Sequence, residues 1–205
     1  MYNKKFYERY ALISICQLLH IDIEKFAVMD RPDLQSEALD MGVEVVQAIT
    51  DHDGRTARLV DTYFGRGLPG DKVVKMIQQN NTKNKFHGEV GLVDGMAFIS
   101  STKGLYDMKK HSDLVTQKLK EKSQKFAHYR QYGVNGLYCF THTNLMNKRD
   151  CERTIDACRE SPFQLIFIHC IEEIFIWNQS SDGFITHEIP SEWLYSWNKF
   201  ALENH

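Results

Sequence analysis

The stretch RPDLQSEALDMGVEVVQAI, Arg31 to Ile49, decides how the chain folds. It sets Asp33 directly after a proline and Glu44 inside an apolar run, with ten residues between the two acids. Alternation over Gly42–Ile49 predicts a strand with Glu44, Val46 and Ala48 on one face and Val43, Val45 and Gln47 on the other. A carboxylate among Val, Ile and Ala is costly to desolvate unless a cation meets it. Upstream, KFAVMD (Lys25–Asp30) predicts a short strand, and Pro32 marks the turn or edge behind it. Pairing of these two strands would bring Asp33 and Glu44 together where the strands meet.

Working outward, Asn3–Leu19 predicts a helix on which Glu8 heads a stripe continued by Leu12, Ile15 and Leu19. After the Glu44 strand come helices over Asp53–Tyr63 and Pro69–Gln79, then a loop at NNTKNK (Asn80–Lys85). Asp94-Gly95 between Glu89–Val93 and Met96–Ser100 is a two-residue hairpin signal. His111–Tyr132 predicts a long charged helix, Asn135–His142 a strand, and Asp150–Glu160 a further helix. Gln164–Cys170 and Ile171–Trp177 predict two strands or one long bent strand. A strand at Phe184–Ile189 and a helix at Pro190–Leu202 close the chain. This order predicts an α/β protein, a mixed sheet flanked by helices. No linker divides the chain, so residues 1–205 are expected as one domain, with a core over about 1–142 and an α/β extension over 143–205.

Composition narrows the function classes. The chain has 205 residues, 42% of them hydrophobic, and a formal net charge of −2. That suffices for a sizeable core and argues against a general nucleic-acid coat, though not against a local basic face. The five cysteines form no CxxC pair, which excludes a Cys-based zinc site and points to a reducing, cytoplasmic setting. The longest apolar run, Leu165–Trp177, is broken by His169, Glu172 and Glu173, so no membrane span is expected.

Glu8, brought in from the first helix, would join Asp33 and Glu44. Three convergent carboxylates repel one another strongly and make sense with Mg²⁺ or Mn²⁺ among them. Hard oxygen ligands of this kind suit phosphodiester hydrolysis, which also needs a cation on the phosphate. On the long helix, Val115, Leu119, Lys122, Phe126 and Tyr129 share a face, so Lys122 interrupts an apolar stripe. Lys118 and Lys125 flank it. A lysine on a packing face either snorkels to the edge or meets an acid.

A glutamate on the first helix, then Pro-Asp, then a Glu in a GVEV strand resembles the PD-(D/E)xK, restriction-endonuclease-like nuclease superfamily. The resemblance implies a core of helix, three-stranded meander, helix and strand. It implies Asp33, Glu44 and Glu8 as metal ligands and a nucleic-acid substrate. It departs from the pattern where the family lysine should stand, because that position is Val46. A lysine supplied by the following helix, Lys122 or Lys125, is then the expected substitute. The chain also resembles uncharacterised bacterial proteins with a PDLQ…GVEVVQA opening, a likeness that implies no established activity; for the nuclease a bacterial defence or mobile-element setting is expected.

Plainer readings stand beside each of these. Asp33 is also an ordinary turn residue, Glu44 an edge-strand acid, and Glu8 a first-turn acid favoured by the helix dipole. The KLKEKSQK run (Lys118–Lys125) also reads as a solvated face, and His142 and His169 as satisfied strand ends. The alternative to catalysis is an inactive nuclease-fold binding or immunity module. Such a module would work through protein contacts, as a homodimer or with a protein partner.

Overall fold

The computed structural model describes residues 4–49, 54, 59, 62–64, 67–84, 89–100, 108–141 and 146–203. They fall into two compact units, one drawn from residues 49–106 and the other from the remainder of the chain.

The larger unit is built on a seven-stranded sheet. Its strands are β1 (Ala27–Val28), β2 (Leu34–Ser36), β3 (Met41–Gln47), β6 (Val134–Phe140), β7 (Leu165–Cys170), β8 (Glu173–Asn178) and β9 (Ile185–Glu188), in that spatial order. β1, β2 and β3 form an antiparallel meander; β6 and β7 run parallel to β3; β8 and β9 return antiparallel. The mixed α/β sheet flanked by helices is therefore as the sequence implies.

Central strands are covered on both sides, which is why they read as nearly continuous apolar runs. On one face α1 (Lys4–Leu18) and α6 (Ser191–Glu203) pack over Val43, Val45, Tyr138, Phe167 and Ile176. On the other, α3 (Met108–Lys125), α4 (Lys148–Glu152) and α5 (Ile155–Glu160) accompany a core of Val115, Leu119, Leu137, Cys139, Ile166, Ile168 and Trp177. Neighbouring residues of one strand thus feed two cores, as Leu137 and Tyr138 do. α1 is buried on most of its circumference because it lies against both the sheet and α6. Trp197 joins the two helices, its indole N–H donating to Gln17 Oε1 at 2.7 Å while its ring meets Tyr10 edge-on.

In the smaller unit, α2 (Gly70–Asn84) accompanies the hairpin β4 (Glu89–Val93) and β5 (Met96–Ser100). Val93 pairs with Met96, and Asp94 and Gly95 both take positive φ, 51° and 76°. These are the backbone angles that a two-residue primed turn needs, so the Asp-Gly signal is met. Leu59, Val73 and Ile77 form its small core.

Several sequence expectations are corrected. The NNTKNK segment is not a loop through Asn84: α2 continues to that residue, polar composition being a weak guide once a helix is propagating. The long helix ends at Lys125, and Phe126–His128 tighten into a 3₁₀ turn. The helix expected over 150–160 is two short ones. KFAVMD contributes only two strand residues, and the meander's middle strand, Leu34–Ser36, has no periodic signature at three residues. The 171–177 segment resolves as a separate strand, because Ile171 turns the chain with φ of 50°. Most of the helix expected over 53–63, Asp51–Asp53 and His142 lie outside the described residues.

Trp197 is fully buried. Trp197→Ala is expected to cost about 3–5 kcal/mol through the lost ring and the cavity left behind. Urea denaturation of the two proteins measures it, and a loss well below that range would mean α6 contributes little to the fold.

Candidate functional site

The register of β2 on β3 places the two acids. Leu34 pairs with Val43, Gln35 with Gly42 and Ser36 with Met41. One step further along the same ladder, Asp33 comes opposite Glu44, on the same side of the sheet. Asp33 continues the ladder with its side chain, Oδ2 accepting the Val45 N–H at 2.8 Å. Its own carbonyl accepts from Met29 N–H at 2.8 Å, and Gln35 Nε2 donates to the Pro32 carbonyl at 2.9 Å. The Pro-Asp turn is thus held from both sides. The glycine of GVEV is a space requirement, since a Cβ on Gly42 would stand 2.5 Å from the Tyr132 ring and 2.8 Å from Pro32.

Two lysines meet these acids. Lys122, one turn before the end of α3, donates to Glu44 Oε1 at 2.6 Å. Lys4, in the first turn of α1, donates to Asp33 Oδ1 at 2.8 Å and stands 3.0 Å from Glu8 Oε1, four residues along the same helix. Glu8, Asp33 and Glu44 are all buried, whereas the Lys4 side chain is 68% exposed and that of Lys122 21%. The Tyr129 hydroxyl is a second donor to Glu44 Oε1, at 3.4 Å. Glu44 Oε2 is buried and has no hydrogen-bond partner.

The electrostatics follow from that count. Three carboxylates face two ammoniums, leaving an excess negative charge in a partly dry site. Burial, and then the charge of Asp33, raise the Glu44 pKa above its ordinary value despite Lys122. Burial raises Glu8 as well, opposed by Lys4. The Lys4 ammonium is stabilised, chiefly by its bond to Asp33. The Tyr129 hydroxyl is pushed up by burial and by Glu44.

Beside the acids lies a cavity of about 530 Å³. Asp33 and Glu44 line it together with Lys4, Lys122 and Lys125, with Arg31 and the Asp30 it pairs with at 3.6 Å, and with His128 and Tyr129 from the turn after α3. Acids under a wall of cations form a surface suited to an anionic ligand.

Asp33, Glu44 and Lys122 line one cavity, whereas Glu8 does not line it and is linked to Asp33 through Lys4. Lys122 is the lysine whose ammonium reaches Glu44, while Lys125 stands on the cavity wall. Lys118, half-buried, pairs with Glu121 at 2.8 Å, so the solvated-face reading does not describe it. His169 is a satisfied strand end, Nδ1 bonded to the Tyr138 hydroxyl and Nε2 to the Ile171 carbonyl, each at 3.1 Å. All five cysteines are buried and unpaired, and no helix among the described residues is long and apolar enough to cross a membrane.

Sequence reasoning missed Lys4 and Tyr129. Lys4 carries a detectable signal, its i,i+4 spacing to Glu8. Tyr129 was counted only as part of an apolar stripe, because nothing local shows where its hydroxyl ends.

The donor set suits a hard divalent cation in chemistry: carboxylate oxygens, one of them buried and unbonded. Among the described residues, however, no group of three or more His, Cys, Asp or Glu forms a metal-holding set. The acids are gathered around ammonium nitrogens instead.

No family model, curated protein or solved structure matches this chain.

Because Glu44 and Glu8 are shifted upward from 4.5, the folded state keeps protons that the unfolded chain has released. Stability then falls as pH rises through the ordinary glutamate value toward the folded one. Glu44→Gln removes one such group while retaining an acceptor for Lys122. Its stability relative to wild type is expected to increase as pH rises from about 4 to about 7. Thermal melts across that range test this; a difference that is flat, or that shrinks with pH, would contradict the raised acid.

Proposed function

We propose that the chain is a metal-dependent phosphodiester hydrolase acting on nucleic acid, with a PD-(D/E)xK-like arrangement in which the lysine has moved to the following helix. The observation that carries this reading is the meeting of Asp33, Glu44 and Lys122 from β2, β3 and α3 at a cavity walled by cations. Within the larger unit the order α1, β1–β3, α3, β6, interrupted after β3 by α2 and the β4–β5 hairpin, with β6 parallel to β3, supports it as well.

Asp33 and Glu44 would hold Mg²⁺ or Mn²⁺, which when bound polarises the phosphate and acidifies a water. Lys122 holds Glu44 Oε1 and is placed to stabilise charge building on a phosphate oxygen. Arg31 and Lys125 on the cavity wall offer contacts to a phosphodiester backbone. Glu8 reaches the site through Lys4 and acts as a positioning residue.

With plasmid, single-stranded DNA and RNA as substrates, Mg²⁺- or Mn²⁺-dependent cleavage is expected. Asp33→Ala or Glu44→Ala should lower it about 10³-fold or more, and Lys122→Ala about 10²-fold, in line with the loss of a metal ligand or of one charge-stabilising donor. Cleavage that survives Glu44→Ala undiminished would remove the catalytic claim.

A second reading, a non-catalytic binding or immunity module on the same framework, is favoured by one observation: Lys4 already occupies the acids that a metal would need. Calorimetry separates the two. The hydrolase should take up Mn²⁺ in the micromolar to millimolar range, and the inactive module should not.

A further inference from the structure

Resting on the metal-dependent reading above, we propose that Lys4 is an exchangeable resident cation, which fills the position between Glu8 and Asp33 and gives it up to a divalent metal ion. Its ammonium makes two short contacts, to Asp33 Oδ1 at 2.8 Å and to Glu8 Oε1 at 3.0 Å, and both acids are buried. The lysine stem is not. Its side chain is 68% exposed, so it can leave without opening the core, and release returns the rotamer freedom of a long flexible chain.

The charge count favours exchange. With all three acids ionised, Glu8, Asp33 and Glu44 bring three negative charges, and Lys4 and Lys122 return two. Replacing Lys4 by a divalent ion while Lys122 stays in place balances the cluster. Glu44 Oε2 is buried and without a hydrogen-bond partner, in a side chain that lines the same cavity as Lys4. Lys122 and Tyr129 both bond the other oxygen, Oε1, and so leave Oε2 as the available one. The displaced Lys4 is already part of the cavity wall and adds to its positive lining.

The test is Mn²⁺ binding to the full chain, followed by calorimetry and by loss of the free-ion electron paramagnetic resonance signal, with no substrate present. Lys4→Met removes the competing charge and should tighten Mn²⁺ binding about ten-fold or more. Lys4→Arg keeps the charge, so its affinity should not exceed that of wild type. Should Lys4→Met fail to fold by circular dichroism, Lys4→Gln carries the same expectation. Measurable but equal affinity in wild type and the neutral variant overturns the exchange and leaves the metal-dependent reading standing. Weaker binding in the neutral variant makes Lys4 a structural support of the acids and likewise overturns the exchange. Undetectable binding in every protein overturns both.

Discussion

The larger unit of this protein is organised around a charge problem: three buried carboxylates from three elements with two ammoniums to meet them. Glu8 comes from α1, Asp33 from the end of β2 and Glu44 from β3. Burying any one of them alone would force it to hold a proton or cost more than the surrounding packing returns. Lys4 and Lys122 arrive from α1 and α3, so both helices are tied electrostatically to the same corner of the sheet. The remaining imbalance shows in the upward-shifted Glu8 and Glu44 and in the unbonded oxygen of Glu44. A core designed for stability alone would place apolar residues here. Retaining the acids at the edge of a cavity is what supports the proposed site.

The turn that carries Asp33 is fastened to the segment after α3. Arg130 N–H donates to the Arg31 carbonyl at 3.0 Å, and the Tyr132 hydroxyl donates to Gln35 Oε1 at 2.8 Å. The Tyr132 ring packs where a Gly42 side chain would be. Strand, turn and helix end are therefore joined to one another beside the bond of Lys122 to Glu44, which spans 78 residues of sequence. Catalytic or binding geometry requires that kind of support around the groups that act.

Much of the fold is legible in the residues because its signals are local. Asp94-Gly95 specifies its hairpin through φ alone, and the alternation of β3 fixes which face Glu44 takes. The stripe through Val115, Leu119 and Lys122 places α3 on the sheet and the lysine at its margin. Other features have no local signature. Three residues of β2 are too few for a period to show, yet their pairing register is what sets Asp33 opposite Glu44. The end of α3 at Lys125 depends on the turn that brings Tyr129 back to the acids, and no capping residue announces it. The helical state of Asn80–Asn84 went against composition for a similar reason: a helix already formed extends through residues that would not start one.

The sequence by itself determined the elements, the faces of the strands and the short list of charged residues that break apolar patterns. Those properties depend on side-chain period and backbone sterics, which act over a few residues. Tertiary structure decided which cation answers which acid. It gave Glu44 to Lys122, placed Lys4 between Glu8 and Asp33, and left Glu44 Oε2 buried without a hydrogen bond. Such pairings come from the antiparallel register of β2 on β3 and the angle at which α1 and α3 cross the sheet. Both are settled only when the two cores close, because the energy of a buried charge depends on every neighbour at once.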